Sequence, residues 1–416
     1  MSRLTILQVA HDHPDWVAGG SELVARDLTR ALDARDGTCA RLLVAATALH
    51  RPEAEPGSLG ALGEDLVLRT GAYDRFSMMR RDGLTWIDAL GRLLDQLRPD
   101  VVHLHGLDRI GAGVLPVIRR HAPRARVVLT LHDYQFICVN DGLMLTAPEG
   151  ARCHGARPDA CRRCVPDLDA AHHALRKAAL IAILQGVDAF VAPSAFLRAR
   201  FVEWGLPADR IRLIPNAVPG HGGPAGAGAP RPAPDRFAFF GNVSRHKGIL
   251  VLLDAAARLK AAGSPASVAI HGGLGWADAE FRAAFDTGLA AAAPTARHLG
   301  PYHRREIATL MRGADWVVMP SLWWENAPLV LEEARAAGRP VIVSGIGGMA
   351  ETVTDGVDGL HVAPGDAVAL AETMATAAAD PALWARLAQA GRPASHSGFV
   401  DAHLELYSTL RERMAA

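Results

Sequence analysis

At 416 residues the chain is too long for one ordinary hydrophobic core and long enough for two. Half of it is apolar and 21% is charged, the profile of a soluble globular protein, and 44 Lys and Arg balance 44 Asp and Glu. No whole-chain field therefore draws in nucleic acid, and no apolar run approaches the roughly 20 residues that span a bilayer.

Leu4–Ala10 reads as a buried strand. The residues before it show neither a basic n-region nor a cleavage site, so a cytoplasmic chain without a signal peptide is expected. In that compartment the five cysteines are not expected to form structural disulfides. Gly19–Gly20 opens a helical stretch, Ser21–Ala34. Further β-branched runs at Arg41–Ala45, Val101–His105, Val127–His132, Ala189–Pro193 and Arg212–Pro215 alternate with helical segments and predict a parallel sheet covered on both faces. From Arg75 to Arg126 ten arginines stand against five aspartates, around the helical segment Thr85–Arg98. That excess reads either as a solvated helix face or as a surface leaning on anionic lipid at the inner face of a membrane.

Pro219–Pro234 is dominated by Gly, Pro and Ala and reads as a linker or long surface loop. A second alternating series follows, with strand Arg236–Phe240, helix Gly248–Ala261 and strand Ser267–His271. Strands Ala314–Pro320 and Pro340–Ser344 then flank the helix Pro328–Ala337, and Ser397–Met414 is helical in pattern. The order predicts an α/β chain of two Rossmann-like, doubly wound halves facing a deep cleft, with ligands at the carboxyl ends of strands. The expected divisions are residues 1–218, a linker at 219–235, residues 236–395, and a terminal helix at 396–416 that crosses back to the first half.

The most specific signal is Met319-Pro-Ser-Leu-Trp-Trp-Glu-Asn-Ala-Pro-Leu-Val-Leu-Glu-Glu-Ala334. A strand ends at Pro320, a loop carries Glu325, and a helix starts near Pro328, where proline suits the first turn. Glu325 and Glu333 are eight residues apart, while Glu332 points about 100° away from Glu333 on that helix. An isolated pair of glutamates would ordinarily be a helix-start charge and an exposed side chain. This stretch, however, resembles the E-x7-E motif of family 4 of the retaining glycosyltransferases, written P-S-x-x-E…E-A. The resemblance implies the GT-B fold, with Glu325 on hydroxyls of the transferred sugar and Glu333 on the ribose of the nucleotide. Asn326, Ala327 and Leu329 fall along the same donor site. A carboxylate that accepts two hydroxyl hydrogen bonds suits a vicinal diol. Trp323 and Trp324 either wall the sugar or join the core.

Phe239-Phe-Gly-Asn-Val-Ser-Arg-His-Lys-Gly-Ile249 resembles the family's strand–G-R-x-x-x-x-K-G–helix element. It implies that Lys247 meets the donor pyrophosphate at a helix N-terminus. Asn242 stands where the family has arginine, and Arg245 is the expected substitute. Ser344-Gly-Ile-Gly-Gly-Met-Ala-Glu351 resembles a family loop near the phosphates and sugar, and Arg297-His-Leu-Gly-Pro-Tyr302 the segment that meets the base. Neither has the G-x-G-x-x-G order of dinucleotide binding. In the first half, Gly19-Gly20-Ser21-Glu22 resembles a G-G-x-E that closes over the donor phosphates, the plainer reading being a helix entry capped by Ser21. His132, in Leu129-Thr-Leu-His-Asp-Tyr134, matches a histidine that faces the transferred sugar.

Cys138, Cys153, Cys161 and Cys164 follow with C-x14-C-x7-C-x2-C spacing, of which only the last step is a recognised metal-ligand spacing. Arg152, Arg157, Arg162 and Arg163 would offset four thiolates around zinc. A structural zinc knuckle, free thiols, and a redox pair at Cys161 and Cys164 are the three readings, and Cys39 reads as a small buried apolar residue. Taken whole, the resemblance implies a retaining hexosyltransferase that needs no catalytic metal or other cofactor. It would move a sugar from an NDP-sugar to a glycan or lipid-linked acceptor, with His132, Glu325 and Lys247 carrying the chemistry. The alternatives are a non-catalytic module of the same fold that binds nucleotide sugar or glycan, which Asn242 would suit, and a nucleotide-sugar epimerase.

Overall fold

A computed structural model of the chain describes residues 3–17, 19–51, 53–81, 85–219, 232–275 and 277–415. The chain divides into two compact units: Met1–Asn216 together with His396–Ala416, and Ala217–Ser395. Most of the expected linker, residues 220–231, lies outside the described residues.

The first unit is built on an eight-stranded sheet. Leu4–Ala10 pairs in parallel with Thr38–Ala46 on one side and Val101–His105 on the other. Asp65–Arg69 and then Leu59–Leu62 continue the first side, and Arg126–Thr130, Ala189–Ala192 and Ile211–Leu213 the second. Only the Leu59–Leu62 edge strand runs antiparallel to its neighbour. Central strands of a parallel sheet are buried on both faces, and Val101–His105 is buried at every position, His103 and His105 included. The terminal helix, His396–Ala415, seats Tyr407 fully buried within this unit.

The second unit is a six-stranded, all-parallel sheet in the order Ala296–Gly300, Ser267–His271, Arg236–Phe240, Trp316–Met319, Val341–Ser344, Leu360–Val362. Numbered along the chain this is 3-2-1-4-5-6, the order of dinucleotide-binding Rossmann sheets. Side chains alternate between two cores. Phe237, Phe239, Trp316 and Val318 join Leu252 and Leu253 of the helix Ile249–Ala261. Ala238, Phe240, Val317 and Met319 join Leu331 and Ala334 of the helix Leu329–Ala336. Each large side chain so placed contributes roughly 1.5–3 kcal/mol, which holds the two central strands rigid beneath whatever their loops carry. Among the described residues no helix is long and apolar enough to cross a membrane.

Candidate functional site

The strand order of the second unit reverses between Arg236–Phe240 and Trp316–Met319, and ligands of such sheets bind at that switch point. Two loops leave the adjacent carboxyl ends there, residues 241–248 and 320–328. Leu322 N–H ties them together by donating to the His246 carbonyl at 2.8 Å, and Gly348 N–H, from the helix Gly347–Thr352, holds the second loop by donating to the Glu325 carbonyl at 2.8 Å. Glycine is required at both approaches. A Cβ on Gly248, whose φ is +71°, would lie 1.8 Å from the Pro320 carbonyl oxygen, and one on Gly348 would lie 1.5 Å from that of Asn326.

This clamp brings Lys247 Nζ to 2.5 Å from Glu325 Oε1, which also accepts the Ser321 hydroxyl at 2.8 Å. The Lys247 ammonium stands 5.3 Å from the centre of the Trp323 ring, and the His246 ring meets Trp323 edge-on at 5.2 Å. Burial pushes the Glu325 carboxyl up, but the charge of Lys247 and the hydrogen bonds from Lys247 and Ser321 outweigh it and hold the group below its ordinary range. Burial, with help from Lys247, lowers His246 to about 4, so its ring is neutral. Trp324, in contrast to Trp323, is buried.

Asn326 and Ala327 lead into the helix that starts at Leu329. On it Glu333 is buried, with its carboxylate 3.8 Å from Arg304 Nη1. Burial and the nearby Glu333 raise the Tyr302 hydroxyl. Glu332 turns elsewhere, accepting the Ala394 N–H at 2.5 Å and pairing with Arg335 at 3.4 Å. The two neighbouring glutamates therefore have separate surroundings. Asn242 is exposed. Arg245 is half-exposed, pairs with Glu280 at 3.2 Å and lies over the Phe281 ring at 5.7 Å.

In the first unit the corresponding strand ends carry a histidine and carboxylate cluster. The strand Arg126–Thr130 stops two residues short of His132, which lines a small cavity with His11, His105, Asp108 and Asp133. Gly19 precedes the helix Gly20–Asp33, and Ser21 lies inside its first turn rather than at its cap. Ser21 instead donates to Glu22 Oε2 at 2.9 Å, and the buried Glu22 pairs with His11 at 2.7 Å. Burial opposes charge on His11, yet Glu22, Asp108 and Asp12 push its ring up to about 9. The His11 Nδ1 and Asp108 Oδ1 atoms are buried with no protein partner. His11, Asp108 and His105 belong to none of the sequence motifs. The cue in the sequence was the run His11-Asp12-His13 at the end of the first strand.

Cys138, Cys153, Cys161 and Cys164 line one cavity of about 510 Å³ together with Arg152, Arg157 and Arg163, and no cysteine is in a disulfide. Burial pushes the Cys138 thiol up to about 11 and also raises that of Cys161. The sulfurs converge without closing. Among the described residues, the only His, Cys, Asp and Glu group with ligand atoms all within 4.8 Å of one another is His11, Asp12 and Glu22. Two of those are already paired with each other, and Asp12 is paired with Arg109 at 2.7 Å.

Two family models match successive stretches of the chain, the Glycosyltransferase Family 4 model over residues 18–219 and the Glycosyl transferases group 1 model over residues 234–380. The chain belongs to the group 1, family 4 glycosyltransferases. Among curated members of the family, it is 30% identical over 213 residues to glycogen synthase of Mycobacterium tuberculosis, which covers 51% of the chain and 50% of that protein. It is 37% identical over 120 residues to D-inositol 3-phosphate glycosyltransferase of Xylanimonas cellulosilytica, 28% of each chain. The chain thus spans about half the length, or less, of the curated relatives it matches. Solved structures of this fold match end to end. Sucrose-phosphate synthase from Thermosynechococcus elongatus superposes with a TM-score of 0.70 at 21% identity, covering 98% of this chain and 99% of that one. Anabaena Alr3699/HepE in complex with UDP and glucose gives 0.65 at 18% identity, covering 99% and 98%. These likenesses identify the GT-B fold, two Rossmann-like domains, for this family member.

Proposed function

We propose that the protein transfers a sugar from a nucleoside diphosphate sugar to a glycan or lipid-linked glycan, with retention at the anomeric carbon. The observation that carries this reading is the Lys247–Glu325–Ser321 arrangement at the switch point of the second unit. It sets a cation suited to a diphosphate against a buried carboxylate suited to sugar hydroxyls. Lys247 and Glu325 pair with each other, and a bound donor would offer each a further partner, the diphosphate for Lys247 and the sugar for Glu325. Glu333, on the next face of the same segment, takes the ribose. Complexes of Alr3699/HepE with UDP and glucose support the nucleotide-sugar class. Lys247 and the N-terminus of the helix Ile249–Ala261 balance the departing diphosphate, which makes the step independent of a divalent cation. No side chain is assigned as a covalent nucleophile. The first unit serves the acceptor, with His132 on the transferred sugar.

Incubation with a panel of NDP-sugars and glycan acceptors tests the proposal. The matching diphosphate should raise the melting temperature, by the equivalent of about 2.7 kcal/mol at a hundred times Kd, and EDTA should leave transfer unchanged. Binding without transfer would favour the non-catalytic module, and donor turnover that ignores acceptor the epimerase. No thermal shift with any diphosphate or donor would sink the reading.

Arg245 lies outside this proposed machinery, because its charge is engaged with Glu280 at the surface. Arg245→Ala should therefore change kcat/KM by less than about twofold, since exposed pairs are worth little. A loss of tenfold or more would return Arg245 to the diphosphate. Of the ten arginines between Arg75 and Arg126, five (Arg75, Arg81, Arg109, Arg119 and Arg126) are paired with aspartates, which leaves less unbalanced charge for anionic lipid than the sequence count implies.

The cysteine cavity suits a structural zinc ion by its donor chemistry, two thiols from the helix Pro158–Cys164 and one each from Cys138 and Cys153, beside three arginines. Binding must displace protons from thiols that burial keeps protonated, and must draw the sulfurs closer. Metal analysis of protein purified without added zinc should return about one equivalent. A folded, metal-free sample with titratable thiols would reject the knuckle.

A further inference from the structure

Behind His132 the first unit carries a continuous chain of hydrogen bonds between buried side chains. It begins at Thr130 Oγ1, 2.7 Å from His103 Nε2, and passes from His103 Nδ1 to the Tyr407 hydroxyl at 2.6 Å. Gln8 Nε2 donates to the same hydroxyl at 3.2 Å, and Gln8 Oε1 lies 2.8 Å from His105 Nε2. His105 Nδ1 then meets His132 Nε2 at 3.0 Å. The placement follows from strand geometry. His103 and His105 are two apart on one strand and share a face, Gln8 sits opposite His103 on the neighbouring strand, and Thr130 sits opposite His105 on the other. The rings stack in sequence, His103 on His105 at 4.4 Å and His105 on His132 at 5.2 Å.

Burial holds His103 and His105 well below the ordinary imidazole range and lowers His132 to about 3, so all three rings are neutral. A neutral imidazole has one donor and one acceptor nitrogen, so fixing the role of one nitrogen fixes that of the other. Gln8 sets those roles. Its carbonyl accepts from His105 Nε2–H, which leaves His105 Nδ1 to accept from His132 Nε2–H. Its amide donates to Tyr407, whose hydroxyl proton goes to His103 Nδ1, and His103 Nε2–H goes to Thr130. Every bond in the chain is satisfied in this arrangement.

We propose that Gln8 and Tyr407 are positioning residues which hold His132, through His105, as the neutral tautomer with its proton on Nε2. The inference rests on the reading of His132 as the group that serves the transferred sugar. A ring in this state has Nδ1 as its acceptor nitrogen and adds no positive charge beside an oxocarbenium-like centre. It also gives the terminal helix a task beyond packing, because Tyr407 is the only member of the chain that lies outside the sheet strands and their ends.

The test uses the full chain labelled with nitrogen-15 histidine, with the His132 resonances assigned by their loss in His132→Gln. The wild type should show His132 protonated at Nε2 and not at Nδ1. Tyr407→Phe keeps the ring and removes the hydroxyl; it should shift the His132 nitrogens toward a mixture of tautomers. Turnover should fall about tenfold, the worth of one well-made hydrogen bond, with the donor KM little changed. Gln8→Leu should do the same, while Gln8→Glu should restore both signals, because a buried carboxylic acid can accept from His105 and donate to Tyr407. A His132 proton on Nδ1 in the wild type overturns the proposal. So do His132 resonances that stay unchanged in both Tyr407→Phe and Gln8→Leu; if the latter does not fold, Tyr407→Phe decides alone. The resonances need no turnover, so a chain with the expected tautomer but no transferase activity would count against the functional reading and not against this one.

Discussion

Replacing Glu325 with glutamine is expected to lower kcat/KM by about 100-fold or more while the fold and the affinity for the bare diphosphate stay near wild type. Glutamine has the same shape, but one carboxylate oxygen becomes an amide nitrogen. It can no longer accept from Ser321 and from a sugar hydroxyl on equal terms, and it stabilises no positive charge developing on the sugar. The cost to the fold is small, because the Lys247 side chain is 25% exposed and water can take over its solvation. Since Lys247 and Ser321 hold the Glu325 carboxyl below 4.5 against the pull of burial, the wild type should keep its full charge throughout the neutral range. Release of nucleoside diphosphate in the presence of acceptor measures the effect, and thermal shift with the diphosphate alone measures the fold and the binding. A Glu325→Gln protein within about fivefold of wild type would remove Glu325 from the transferred sugar.

The Lys247–Glu325 arrangement was legible in the sequence because its elements are local. Lys247 and Gly248 close one strand–loop–helix unit, Glu325 and Glu333 belong to the next, and both motifs carry their own turn chemistry. The sheet interior was legible for the same reason, since Phe237 to Phe240 and Trp316 to Met319 are unbroken apolar runs. What could not be read was set by tertiary distance or by weak pattern. The strands Leu59–Leu62 and Ala296–Gly300 are edges, half exposed and interrupted by Gly, Arg and His, so no periodicity marks them. Arg245 is three residues from Asn242 and was expected to replace its missing charge. A short 3-10 turn at Arg245–Lys247 gives the two cations different partners, Glu280 for one and Glu325 for the other. The run Gly19-Gly20-Ser21-Glu22 reads either as a loop over the donor phosphates or as a plain helix entry, and neither reading reveals that the Glu22 carboxylate pairs with His11, a contact that exists only once the first helix packs beside the first strand. The chain from Gln8 to Tyr407 spans 399 residues and was out of reach of any local motif.

Lys247→Met tests the same pair from its other side and should reverse the local dependence of stability on pH. In the wild type the folded-state pKa of Glu325 is depressed, so the pair contributes stability that is fully present above the unfolded value of 4.5. That contribution is lost as pH falls through the folded value. Methionine fills much the same space and removes the charge, which leaves burial as the dominant influence on Glu325 and moves its folded pKa above 4.5. The folded state then binds a proton more readily than the unfolded one, and stability falls as pH rises from 4.5 toward neutrality. Breaking a fully buried pair costs about 3–5 kcal/mol, and the partial exposure of Lys247 argues for less than that, about 2 kcal/mol at pH 7.5. For a unit of this size that is roughly 4–8 °C in Tm, shrinking as the pH is lowered to 5. The double variant Lys247→Met/Glu325→Gln has no carboxylate left to strand, so its Tm should recover at pH 7.5 while diphosphate binding stays weak. If Lys247→Met instead tracks the wild type at both pH values, Lys247 does not set the charge of Glu325, and the donor site must draw its positive charge from elsewhere on the loop.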